Sequence, residues 1–227
     1  MKTGFIFDLD GTLLDSPSIG KYRVTILLAV NGVFLTEQAK RKLFSQWGKP
    51  AIPMLTESLG IPHEMALAIN KQWEIWDGID PASFIKGARE IVEWCRDTCG
   101  EVALYTSRHT ENVDQLLRQL KARDAFSLVV GREGDAEGRL PRNRYEKENP
   151  ASFLAIEAYL SHRYRIEQVV YVGDTIFDVG YARAADMESI AVLSGGTPFE
   201  EFQNLGVEIK NILASVKEIR GWVVANL

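Results

Sequence analysis

The chain has 227 residues and a formal net charge of −5. Hydrophobic residues make up 46% and charged residues 25%, a globular balance that excludes a disordered or collagen-like chain. The acid excess argues against a binder of nucleic-acid polymers, which carry a strong basic surplus.

Residues 3–9 (Thr-Gly-Phe-Ile-Phe-Asp-Leu) form a short apolar run, read as a buried strand that stops at the Asp10-Gly11-Thr12 turn. The run is too short for a signal-peptide core, and no window is apolar for long enough to span a membrane. From 16 to 83 the pattern predicts helices only. Val24, Ile26, Leu27, Leu28 and Val30 mark the first, which ends near Asn31-Gly32. Thr36 caps the second, and Pro50 and Pro62 open the third and fourth.

After Pro81 helix and strand alternate. Helices are expected at 86–98, 110–122, 150–161 and 176–185, and strands at 101–106, 126–130, 168–173 and 188–193. A polar loop covers 131–147 and a helical tail 212–223. Such alternation implies βαβ units with right-handed crossovers. The expected class is α/β, a Rossmann-like parallel sheet core from 1–15 and 84–227, with residues 16–83 inserted as an all-helical cap. The inserted segment carries seven basic and six acidic side chains, so the acid excess belongs to the α/β part. Cys95 and Cys99 stand four residues apart on a helix, a poor disulfide geometry, and no histidine sits beside them to complete a metal site. Two reduced thiols point to the cytoplasm.

Three expected strands end in oxygen-bearing side chains: Asp8-Leu9-Asp10-Gly11-Thr12, Thr106-Ser107-Arg108, and Gly173-Asp174-Thr175 followed by Asp178. Ligands of open parallel sheets sit at the carboxyl ends of strands. Carboxylates gathered there repel one another unless a cation is present. A hard divalent cation, Mg²⁺ above all, suits an all-oxygen set.

Phe7-Asp8-Leu9-Asp10-Gly11-Thr12-Leu13-Leu14-Asp15 resembles the first motif of the haloacid-dehalogenase-like hydrolases in their phosphatase form. Thr106 resembles the second motif, Lys147 followed by Pro150 the third, and Gly173-Asp174-Thr175-Ile176-Phe177-Asp178 the fourth. The branch it looks most like is the phosphoglycolate-phosphatase-like one. The resemblance implies a Mg²⁺-dependent phosphatase acting on a small phosphorylated metabolite through an aspartyl-phosphate. Asp8 is then the nucleophile and a metal ligand, and Asp10 the general acid and base, its backbone carbonyl facing the metal. Asp174 ligates Mg²⁺, and Asp178 holds a metal-bound water or orients Lys147. Thr106 and the backbone N–H of Ser107 take phosphoryl oxygens, and Lys147 neutralises charge. Arg142 or Arg144 is an alternative for that cation. Arg108 is a candidate for reaching the substrate or the cap, and Lys21, Arg23 and above all Lys49 in the cap are candidate substrate contacts. Trp47, Trp73 and Trp76 are read as packing residues of the cap. Asp186 stands where the family usually has glycine, which alters a helix end. A sugar-phosphate mutase, a pyrophosphatase, a nucleotidase and a non-catalytic phosphate-binding protein remain alternatives. No nucleic-acid or membrane partner is expected.

Overall fold

The computed structural model describes residues 2–47, 49–140 and 145–227. The chain divides into two compact units, 1–15 with 83–227, and 16–82.

In the larger unit the apolar runs become strands β1 (Thr3–Phe7), β2 (Val102–Tyr105), β3 (Leu128–Gly131), β4 (Gly134–Asp135), β5 (Gln168–Gly173), β6 (Glu188–Val192) and β7 (Ile212–Leu213). They form one sheet in the order β4-β3-β2-β1-β5-β6-β7, parallel throughout except for β4. The chain first builds outward from β1 through β2 and β3. It then returns to the other side of β1 with β5, so the centre of the sheet is a topological switch point. Strand register puts Phe7 opposite both Leu104 and Val172.

Side chains alternate across the sheet. Ile6, Tyr105, Leu128, Val130 and Tyr171 join Phe153, Ile156 and Leu160 in one buried cluster. Phe5 and Phe7, one residue out of phase with Ile6, stack on each other with centroids 6.0 Å apart.

The smaller unit holds α1 (Ser16–Val30), α2 (Glu37–Phe44), α3 (Ala51–Leu59) and α4 (His63–Ile79). Val24, Leu27 and Leu28 repeat at helical spacing and bury with Leu43, Met54, Leu55, Ala66 and Ile69. Thr36 caps α2 as expected, its hydroxyl accepting from the Ala39 N–H at 3.2 Å. Trp47, Trp73 and Trp76 pack against this core, with Trp47 and Trp73 rings 5.5 Å apart.

The larger unit continues with α5 (Ala88–Thr98), α6 (Thr110–Gln119), α7 (Pro150–Tyr164), α8 (Ile176–Ala184), α9 (Phe199–Asn204) and α10 (Ile219–Asn226). Three sequence expectations change. The loop after β3 contains the short antiparallel strand β4. Helix α9 appears where no element was expected. The tail expected as one helix from 212 begins as strand β7, because Ile212 and Leu213 pair with Ala191 and Val192 at the open edge of β6. Asp186, two residues past α8, has φ +58°, the left-handed region where glycine is commonest and Asp is tolerated. Among the described residues no helix is long and apolar enough to cross a membrane.

Candidate active site

Asp8 is the first residue beyond β1. Its backbone N–H still donates to the Val172 carbonyl at 2.8 Å, so the β5 ladder fixes its position. The next turn folds back tightly: the Leu13 and Leu14 N–H groups both donate to the Leu9 carbonyl at 2.9 Å. Gly11 sits at φ +85°, and a Cβ there would run into the Asp174 carboxylate. Glycine is required for the turn and for the close approach of Asp174.

Asp174 follows β5, next to Asp8 across the β1–β5 pair. The Thr12 hydroxyl donates to its Oδ1 at 3.1 Å, and the Ser194 hydroxyl holds the Gly11 carbonyl at 2.7 Å. Thr175 caps α8: its Oγ1 accepts from the Asp178 N–H at 3.1 Å and donates to Asp178 Oδ2 at 2.6 Å. Asp178 thereby turns its other oxygen to Lys147.

Lys147 lies in the loop before α7. Its ammonium donates to Asp8 Oδ1 and, at 2.8 Å, to Asp178 Oδ1. The Tyr105 and Tyr171 rings flank it, with centroids 5.8 and 5.9 Å from Nζ, close enough for cation–π attraction. Phe153 meets both rings edge-on. Arg142 and Arg144, the alternative cations, lie outside the described residues.

Asp8, Asp174 and Asp178 are all buried, and one ligand oxygen from each lies within 4.8 Å of the others. Asp10 does not join this cluster through its side chain. Both its oxygens meet the Arg108 guanidinium, Nε to Oδ2 at 2.7 Å and Nη2 to Oδ1 at 2.6 Å.

Burial dominates the electrostatics. It pushes the Asp8 carboxyl up to about 6, with Lys147 pulling down and Asp178 and Asp10 pushing further up. Burial also raises Asp174 well above the usual carboxylate range, reinforced by Asp8 and Asp178. Burial alone would lower Lys147, but Asp178 and Asp8 outweigh it and hold the ammonium charged well above the ordinary lysine range. Among the described residues three acids face one ammonium, a balance that a further cation would offset. The all-oxygen donors suit a hard divalent ion.

Thr106, buried at the end of β2, accepts from the Arg108 N–H at 3.3 Å. Ser107 beside it is exposed. The hairpin after β3 supports this loop: the Arg132 N–H donates to the Arg108 carbonyl at 2.9 Å, and Arg132 Nη2 to the Ser107 carbonyl at 3.0 Å. Lys49, in the smaller unit, is 3.7 Å from Glu57, both partly exposed. Arg23 is buried in that same unit. It donates to Asp77 at 2.5 Å and to Asp80 Oδ2 at 2.9 Å, and lies 5.4 Å from the Trp76 ring. It serves the helical unit's own packing.

Thr175, Ser194, Arg132, Tyr105 and Tyr171 were not singled out in the sequence. Thr175 carried a signal, since a threonine three residues before an acid at a helix start is a capping pattern. The others are brought in by sheet register and loop folding, which leave no local signature.

The family described as haloacid dehalogenase-like hydrolase matches residues 5–192. Among curated proteins none matches. A haloacid dehalogenase-like hydrolase from Streptococcus pneumoniae is 20% identical with a TM-score of 0.75, covering 98% of each chain. A candidate beta-phosphoglucomutase from Thermotoga maritima is 21% identical with a TM-score of 0.72, covering 100% of each. A candidate phosphoglycolate phosphatase from Lactobacillus plantarum is 17% identical with a TM-score of 0.72, covering 98% of this chain and 100% of that one. At these identities the likeness is one of fold.

Proposed function

Because the chain belongs to the haloacid dehalogenase-like hydrolases, we propose that it is a Mg²⁺-dependent phosphatase that hydrolyses a small phosphomonoester through a phosphorylated Asp8. The observation that carries this reading is the buried Asp8 carboxylate held at the switch point of the sheet, with the Lys147 ammonium on one of its oxygens.

An Asp8 oxygen attacks phosphorus, the bond from phosphorus to the ester oxygen breaks, and the phosphoryl group moves to Asp8. Asp10, once it leaves Arg108 and takes up a proton from solvent, gives that proton to the departing oxygen. The same carboxylate then takes a proton from the water that opens the aspartyl-phosphate. Lys147 offsets charge on Asp8 and on the transferring group. Asp178, fastened by Thr175, keeps that ammonium in place. Thr106 and the N–H of Ser107 are donors for phosphoryl oxygens. Asp8, Asp174 and Asp178 would hold Mg²⁺, with the Asp10 carbonyl beside them, and the ion when bound neutralises phosphoryl charge and draws Asp8 into its ionised form. Within the helical unit Lys49 is the favoured candidate for a substrate contact.

Hydrolysis of p-nitrophenyl phosphate with and without Mg²⁺ tests this. Release that needs the metal and disappears in Asp8→Asn is expected. Release that survives Asp8→Asn overturns the nucleophile. A mutase is recognised by isomer formed from a sugar phosphate without stoichiometric free phosphate.

A further inference from the structure

Lys147 is held by more than carboxylates. Its ammonium donates to Asp8 and Asp178 and also stands over the faces of the Tyr105 and Tyr171 rings, with centroids 5.8 and 5.9 Å away. The rings come from the strands on either side of β1. Tyr105 closes β2, one residue past the Leu104 that pairs with Phe7, and Tyr171 of β5 pairs with Ile6. They straddle the strand that delivers Asp8.

Both tyrosines are fully buried, and Phe153 of α7 meets them edge-on at 5.1 and 5.2 Å, which fixes their tilt. Gly173 admits the second ring: a Cβ there would come within 2.8 Å of Tyr171 Cε1 and 3.0 Å of Asp178 Cβ. Packing alone asks only for apolar bulk of the right size, which an aliphatic side chain also supplies. An ammonium buried against aliphatic groups loses hydration and gains nothing. A ring face returns negative potential to it.

We propose that Tyr105 and Tyr171 are positioning residues that seat the Lys147 ammonium through their ring faces and hold it there while Asp8 gives up its own charge to phosphorus. The kinetic part of the proposal rests on the phosphatase reading of the site, and the seat itself does not. Once an Asp8 oxygen is bonded to phosphorus, Asp8 no longer offers Lys147 a full carboxylate. The ring faces do not change in that step. The ammonium therefore stays beside the transferring group, whose charge it offsets.

Two measurements test this. The first replaces Tyr171 by Leu, by Phe, and by phenylalanines bearing one, two and three ring fluorines, which withdraw electron density from the ring face at nearly constant size. On p-nitrophenyl phosphate with saturating Mg²⁺, kcat should fall about 10-fold or more in Tyr171→Leu, and Tyr171→Phe should recover most of that loss. Along the fluorinated series kcat should fall stepwise, by about 10-fold in all, with KM within about threefold throughout. A kcat that ignores fluorination in an active enzyme overturns the proposal, because packing alone would give that result. The second measurement needs no turnover. In protein labelled with ¹³C at the lysine ε-carbon, the Lys147 signal is identified by its absence in Lys147→Met. Ring currents should place its protons upfield of the other lysines in wild type, and Tyr105→Leu and Tyr171→Leu should each move them back toward the common position. A Lys147 signal at the common position in wild type overturns the seat whatever the kinetics. An upfield signal in a protein that hydrolyses no phosphomonoester leaves the seat standing and sinks the phosphatase reading.

Discussion

Lys147 Nζ stands 2.8 Å from Asp178 Oδ1 and donates to Asp8 with the same ammonium, so one buried cation ties the end of β1 to the start of α8. Replacing it with Lys147→Met leaves two buried carboxylates facing each other. We expect kcat on a phosphomonoester to fall at least about 100-fold, the scale of losing a preorganised charge at a reacting group. Steady-state kinetics at saturating Mg²⁺ checks this.

The raised acids make the metal-free protein sensitive to pH. Asp8 titrates near 6 in the folded protein against an ordinary 3.8. The folded state therefore holds this proton more tightly than the unfolded state. Stability is greatest below about pH 4 with respect to this group and falls as pH rises to about 6, by roughly 3 kcal/mol. Asp174 is raised too and adds in the same direction. Lys147, raised above its ordinary range, keeps its contribution until well into the alkaline region. Thermal melting without divalent ions should show a higher Tm at pH 5 than at pH 7.5. Saturating Mg²⁺ should raise Tm at pH 7.5 by about 5 °C or more and by less at pH 5. A Tm indifferent to both changes would contradict the electrostatics of the cluster.

Thr175 has two duties on one hydroxyl, capping α8 and gripping Asp178. Thr175→Val should cost about 1 kcal/mol of stability from the cap. It should also raise the Mg²⁺ concentration for half-maximal activity several-fold, because Asp178 Oδ2 loses its anchor and only the Lys147 contact on Oδ1 is left to orient it. Thr175→Ser should restore both, which a metal titration of activity and a denaturant melt would read together.

Arg23 tests the helical unit by itself. Arg23→Met removes its ion pair with Asp77 and its bond to the Asp80 carbonyl. Removing one member of a buried pair is costly, here about 2–3 kcal/mol given that Asp80 is exposed. Cleavage by a protease within 16–82 should accelerate, while sites in 84–227 stay protected.

The βαβ alternation and the helical segment were legible because each has a period, two for the strands and 3.6 for the helices. Motif spacing put Asp8, Thr106, Asp174 and Asp178 at strand ends and a helix start, and the parallel register then gathers the three acids without any further signal. Sequence left out what depends on who pairs with whom. Ile212 and Leu213 read as the start of a helix and become β7 because β6 offers an open edge. The short strand β4 exists because a turn of two residues returns Gly134 to Gly131. Arg108 read as a contact to the substrate or the cap, and its fork on Asp10 spans 98 positions of sequence that no local pattern links.

The chain leaves the α/β unit for the helical segment and returns to it at neighbouring points. Leu14 bridges Phe84 in antiparallel fashion, the Asp15 N–H reaches the Ser83 carbonyl at 3.0 Å, and the Ile85 N–H reaches Leu13 at 2.8 Å. The outgoing and returning chains are thus already zipped together before the first residue of α1. A tight turn from Asp15 to Ser83 would close that zipper as an ordinary hairpin. Lengthening, trimming or exchanging the inserted helices leaves the backbone around Asp8 topologically intact. The molecule is in this sense a socket with a replaceable fitting: new recognition surfaces can be grafted at one point without re-registering a single strand of the sheet.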